Sequence, residues 1–267
     1  MLSIRGGSGL GDSLYIQSIA RHLVETGEAV EVCSNWPDVF RPLAGKVAIS
    51  PFRRDRIDRL AHYTNRKGIA GTDQFQDCCL RAGITEQIDL RLDWTPLDGD
   101  LIGRVRASRR PVIVVQLPRA PMARTDGVGR ELLPDCRVIQ RIINRIGKRA
   151  FFVQVGTGVP LYCFKGIDLD LAGRTSVAGL IDVVSACDGC LGYVSFIVPL
   201  AESLNKPALL VWSWRGLESR HDFIRQIVLA KILHRTSSRA IFDNGPESDL
   251  EAAADAFLEQ VGDHATI

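Results

Sequence analysis

The stretch PVIVVQL at 111–117 is apolar at almost every position. A strand with one wet face alternates apolar and polar residues, whereas a strand that does not alternate must be covered on both faces, as helices cover a parallel α/β sheet. The segments that follow fit that architecture. DCRVIQRIINRIG (135–147) has helical apolar spacing and leads into a second apolar run, RAFFVQVG (149–156). A helix over about 176–186, the strand GCLGY (189–193), a helix over about 199–204 and the strand PALLVWS (207–213) come next.

The first hundred residues repeat the rhythm. Residues 1–5 read as a strand, and 12–26 as a helix with Leu14, Ile16, Ile19, Ala20 and Leu23 at helical spacing and Gly27 at its end. AVEVCSN (29–35) is the next strand, and Pro37 takes a first helical position before DVFRPLAG. Between 51 and 103 the pattern weakens: FRRDRIDRL (52–60) is basic, 68–84 reads as loop and helix, and IDLRLDW (88–94) alternates like a half-buried strand. The expected fold is α/β, two Rossmann-like domains facing a cleft. Residues 1–105 form the N-terminal domain and 106–267 the C-terminal one, which ends in a Glu/Ala-rich helix at 247–261.

Composition narrows the function classes. With 267 residues, 46% of them hydrophobic, the chain affords a sizeable core, and a net charge of +2 gives no strong bias toward nucleic acid or anionic membrane. Only six of the basic residues are lysine, which a chain-wide codon bias explains better than phosphate binding does. No stretch approaches the roughly 20 apolar residues of a membrane span. Residues 1–20 carry Arg5 and Asp12 without the apolar core of a signal peptide, so a cytoplasmic protein is expected. Seven cysteines are dispersed, and Cys187 and Cys190 lack a second pair or a nearby histidine to complete a zinc site. They read as reduced thiols packed as small hydrophobes, and no metal is expected.

The glycine-rich turn GGSGLGDSL (6–14) decides what the sheet edge holds. The dinucleotide fingerprint fails, because Asp12 occupies its third glycine position and the second strand ends in Ser34-Asn35 rather than in an acid. A Walker loop fails for want of a lysine. What remains is a tight turn placing Asp12 at the start of a helix and at the carboxyl end of the first strand, the edge where open α/β sheets bind ligands. A carboxylate there serves either as a helix cap or as a general base for an attacking hydroxyl.

The turn Gly9-Leu10-Gly11-Asp12, together with LAGRTSVAGLIDVVSACDGCLGYVSFIVPLAESLNKPALLVWS at 171–213, resembles the lipopolysaccharide heptosyltransferases, glycosyltransferases of GT-B architecture. Order, spacing and element type match over that second stretch, and the likeness extends loosely along the chain. It departs at 194–199: relatives carry Asp-Ser-Gly-Pro-x-His in this loop, and this chain has Val194-Ser195-Phe196-Ile197-Val198-Pro199, keeping only the serine. The resemblance implies a metal-independent glycosyltransferase with no cofactor beyond a nucleotide-sugar co-substrate. It places Asp12 as base, Gly9, Gly11 and Ser13 in an acceptor-side loop, and a glycan of the bacterial surface as acceptor.

For the donor side the resemblance and the residues together offer Arg119, Arg124, Gly156, Thr157, Arg174, Ser195, Phe196 and Glu202. Arg119 and Arg124 lie in a long Pro/Gly-containing loop and suit a leaving diphosphate, though solvated surface arginine is the ordinary alternative. Gly156 and Thr157 follow a strand, Arg174 precedes a helix start capped by Thr175 or Ser176, and Ser195-Phe196 enters a helix whose free N–H groups attract an anion. Glu202 is either a ribose ligand or a solvated helix carboxylate. Trp212 belongs in the core. Competing functions are transfer to hydroxymethylated bases in DNA, for which FRRDRIDRL and RRPVIVV supply basic patches, and a noncatalytic sugar-nucleotide-binding scaffold. A sugar-nucleotide epimerase of the same architecture lacks its expected acid and histidine.

Overall fold

The computed structural model describes residues 1–53, 57–62, 73–118, 131–157 and 162–264. Two parallel sheets carry the chain. The first runs β3-β2-β1-β4, from β1 (Leu2–Arg5), β2 (Val30–Cys33), β3 (Val47–Ser50) and β4 (Arg59–Leu60). Between β1 and β2 lies α1 (Leu10–Glu25), which starts two residues earlier than its apolar spacing suggested. Pro37 opens a 3₁₀ helix, Pro37–Leu43, rather than an α-helix, and the internal Pro42, which has no N–H to donate, fits that short irregular turn.

The second sheet runs β10-β9-β8-β5-β6-β7. Its strands are β5 (Val112–Gln116), β6 (Phe151–Val155), β7 (Leu169–Asp170), β8 (Gly189–Gly192), β9 (Ala208–Trp212) and β10 (Ser238–Phe242). The helices around it include α4 (Cys136–Ile146), α5 (Val177–Ala186), α6 (Ile197–Ser203) and, after two shorter ones, α9 (Glu247–His264). Two further helices, α2 (Gln74–Arg81) and α3 (Gly99–Val105), lie in the connection between the sheets.

The unbroken apolar run at β5 has the cause expected of it. Ile113 and Val115 face one core with Ile139 and Ile142 of α4 and Phe257 of α9, whereas Val112 and Val114 face the other. Each such side chain contributes about 1.5–3 kcal/mol on leaving water, so neither face tolerates a polar substitution. The second core is continuous with that of the first sheet, through Ile4, Ile16, Ile19, Val183 and Ile197. Trp212 is fully buried in it.

IDLRLDW is not a strand. Its alternation is real, since Leu90 and Leu92 are buried while Arg91 and Asp93 are exposed, but its partners are helices. Ser18 Oγ of α1 bonds both the carbonyl oxygen and the N–H of Arg91, and Leu92 N donates to Ser203 O of α6 at 2.8 Å. The segment therefore runs as an extended strap along the seam. Asp182 of α5 fastens its far end, accepting from Trp94 Nε1 at 2.6 Å and from the N–H groups of Leu97 and Asp98.

Among the described residues no helix is long and apolar enough to cross a membrane. The cysteines are free; Cys187 and Cys190 are fully buried with their sulfurs 4.0 Å apart.

Candidate active site

A cavity of about 480 Å³ opens where the two halves meet. The first half contributes Gly9, Gly11, Asp12, Tyr15 and Trp36; the second contributes Gly156, Thr157, Ser195 and Phe196. Seven residues singled out in the sequence from opposite halves thus share one space. Asp12 is the charged residue among the described lining.

Asp12 caps its own helix and also lines the cavity. It is the third residue of α1, and its Oδ2 accepts the N–H of Gly9 at 3.0 Å, closing a capping box. Its Oδ1 lies 4.0 Å from Nε2 of His62. Gly7 makes this arrangement possible, because a methyl group there would overlap the Asp12 carboxylate and come within 2.9 Å of His62 Cδ2. Gly11 has a different duty: a Cβ would meet Pro199 Cγ at 3.1 Å, so the glycine lets the first turn of α1 press against α6.

Ser13 does not reach the cavity. It is buried, and its hydroxyl pairs with Ser34 Oγ at 2.9 Å, while Ser34 Oγ also accepts the N–H of Trp36. The serine proposed for the acceptor-side loop therefore braces α1 against the turn after β2. Trp36 is fixed a second time through its indole, which donates from Nε1 to Ser8 O at 2.9 Å.

On the other side Ser195 donates to Gln116 Oε1 at 2.7 Å and accepts the N–H of Ile197 at 3.3 Å, so its oxygen already holds the entrance to α6. Ser176 caps α5 by accepting from Gly179 N at 3.1 Å, and the exposed Arg174 sits two residues before it, beside the cavity-lining Thr175. Arg119 and Arg124 lie outside the described residues.

Glu202 is not at the cavity. It is fully buried in α6, and its carboxylate accepts the N–H groups of His234 (3.0 Å to each oxygen) and Arg235 (3.1 Å). Burial pushes its pKa up, against the pull of those N–H groups. His234 in turn bonds Asp73 Oδ2 through Nδ1 at 2.7 Å, joining the second half to the N-cap of α2. Burial pulls the His234 pKa down, but the hydrogen bond and charge of Asp73, with the charge of Glu202, outweigh it and the net direction is up. The ribose contact expected of Glu202 is thus replaced by a structural seam.

Three arginines of the basic patches are held by other groups. Arg53 pairs with Glu31 at 2.8 Å, Arg59 donates to Ala82 O at 2.6 Å, and Arg110 pairs with Asp168 at 2.8 Å. Among the described residues no group of three or more His, Cys, Asp or Glu side chains is placed to hold a metal ion.

Two site residues, His62 and Trp36, are absent from the sequence-based reading. Trp36 had a usable signal, as it follows a clear strand on the ligand edge. His62 had none, because β4 is only two residues long and its pairing with β1 follows from no local pattern.

The chain is similar in structure to a glycosyl transferase family 9 protein of Veillonella parvula DSM 2008, with 8% identity, 97% of each chain covered and a TM-score of 0.64. It is also similar to ADP-heptose LPS heptosyltransferase II of E. coli, with 16% identity, 97% of this chain and 99% of that one covered and a TM-score of 0.57. A third likeness is to the iron-containing dodecameric glycosyltransferase TibC from enterotoxigenic E. coli H10407, at 13% identity and a TM-score of 0.56, covering 79% of this chain and 57% of that one. No family model matches the chain, and no similar curated sequence was found. At these identities the likeness establishes the fold, which is the GT-B arrangement of two Rossmann-like halves around a cleft.

Proposed function

We propose that this chain, with its GT-B fold, is a glycosyltransferase that moves a sugar from a nucleotide diphosphate donor to a hydroxyl of a bacterial surface glycan or its lipid-linked precursor. Residues 106–267 hold the donor and 1–105 the acceptor. The observation that carries this reading is Asp12: it is a carboxylate fixed through one oxygen, 17% exposed, in a cavity built from both halves. That is where a general base for an acceptor hydroxyl belongs. The heptosyltransferase likeness supports the donor class, and ADP-heptose is the first donor to try.

In the reaction, the acceptor oxygen forms a bond to the anomeric carbon as Asp12 takes its proton, and the bond from that carbon to the diphosphate oxygen breaks with its electron pair. The departing charge falls to Arg119, Arg124 and the backbone N–H groups at the helix entrances. The step as written uses no metal; the structurally similar TibC is iron-containing.

The test is a transfer assay by mass spectrometry, with EDTA present, pairing nucleotide sugars with polar glycan and lipid-linked acceptors. A glycosylated product with release of nucleoside diphosphate is expected. Absence of product from every pair, with folded protein, would overturn the reading.

A further inference from the structure

Asp12 can take a proton from the acceptor, but a carboxylic acid left protonated blocks the next turnover, so the proton needs an exit. The first sheet supplies one. β4 is parallel to β1 with Leu60 beside Arg5, and Ala61 N continues the pairing by donating to Arg5 O at 2.8 Å. Both strands therefore end at one level, and the residues leaving them, Gly7 from β1 and His62 from β4, emerge side by side. Gly7 has no side chain, and Asp12 from the next turn packs over it against the imidazole.

The two Asp12 oxygens are distinguished by their neighbours. Oδ2 is held by Gly9 N, and Oδ1 is the one 4.0 Å from His62 Nε2. That gap is longer than a direct hydrogen bond, and one water or a small side-chain rotation spans it. His62 is 33% exposed, twice as open as Asp12, so it stands nearer to solvent than the carboxylate beside it.

We infer that His62 is the proton exit for Asp12: after sugar transfer the proton passes from Asp12 Oδ1 to His62 Nε2 and from there to water. The inference rests on the transferase reading above. His62 touches neither donor nor acceptor in this scheme; it is a positioning and relay residue acting through Asp12. Atoms balance without a further reactant, because the only species moved is the proton that the acceptor hydroxyl gave up.

The experiment compares the wild type with His62→Ala and His62→Gln, with and without free imidazole. His62→Ala should lower kcat about 10- to 100-fold while donor KM stays within about twofold, since proton transfer rather than binding is impaired. Added imidazole should restore kcat of the alanine variant in proportion to its concentration and leave His62→Gln unrescued, because glutamine fills the space without a basic nitrogen. Wild-type kcat in His62→Ala overturns the relay alone, as does a loss in a folded variant that imidazole does not repair. Failure of the wild type itself to transfer sugar overturns the transferase reading, and the relay with it.

Discussion

Asp12 and Glu202 are the same chemistry in two settings. Each carboxylate sits within the first two turns of a helix at the seam between halves, and each was a site candidate in the sequence. Asp12 accepts Gly9 N with one oxygen, has the other 4.0 Å from His62 Nε2, and lines the cavity. Glu202 is fully buried and spends both on the backbone of 234–235, with Asp73–His234 completing the link to the first half. The difference teaches that a carboxylate near a cleft is assigned by what its oxygens accept, not by its distance along the helix.

The largest effect should come from the first member of the pair. Asp12→Asn keeps an acceptor for Gly9 N and loses the base, so kcat should fall by about 10²- to 10⁴-fold with the melting temperature nearly unchanged. Calorimetry beside the kinetic assay checks both halves of that statement; a variant that unfolds instead would make Asp12 a structural residue like Glu202.

Glu202→Ala should do the converse. It leaves the buried N–H groups of His234 and Arg235 without their acceptor, at about 1–3 kcal/mol each, and a total loss of about 3 kcal/mol is expected in denaturant unfolding. Turnover of the fraction that remains folded should stay close to wild type. A tenfold drop in kcat without loss of stability would move Glu202 back into the active site.

The seam should also respond to pH in one direction. The pKa values of both Glu202 and His234 are raised in the fold, so the native state holds protons that the unfolded chain has released. Stabilisation of this kind is complete below the unfolded-state value and is lost as pH rises through the folded-state value. Unfolding free energy should therefore decline from about pH 4.5 through Glu202 and further above about pH 6.5 through His234, and His234→Asn should flatten the upper part of that slope. An unchanged slope in the variant would remove His234 from the seam's energetics.

The smallest effect concerns Trp36, whose indole is pinned by Ser8 O at the cavity wall. An aromatic face there suits a sugar ring, and Trp36→Ala should raise acceptor KM about tenfold, the value of one stacking contact, with kcat less affected. Equal loss for donor and acceptor would place the ring on the donor side.

What was legible in the sequence follows from range. The strands β5, β6, β8 and β9 and their helices carry their own periodicity, and the gap in the dinucleotide fingerprint drew attention to Asp12 through local spacing, which left cap and base open until the heptosyltransferase resemblance was added. The strap at 88–98 misled because burial alternates there for a reason outside the segment: Ser18 and Ser203 stand where a neighbouring strand would. Glu202 was ambiguous because its partners lie 32 and 33 residues away. His62 was invisible because sheet order places it, through a strand too short to announce itself.

The measurement that goes most directly to the central claim is a thermal-shift panel of UDP, GDP, ADP, CMP and dTDP sugars on the wild type and Asp12→Asn. If the cleft holds a nucleotide sugar on its C-terminal side while Asp12 serves only the chemistry, one nucleotide class raises the melting temperature of both proteins alike. The stabilisation should be about 2.7 kcal/mol at 100 times the dissociation constant. No shift with any sugar nucleotide, or a shift that disappears in Asp12→Asn, would contradict the account.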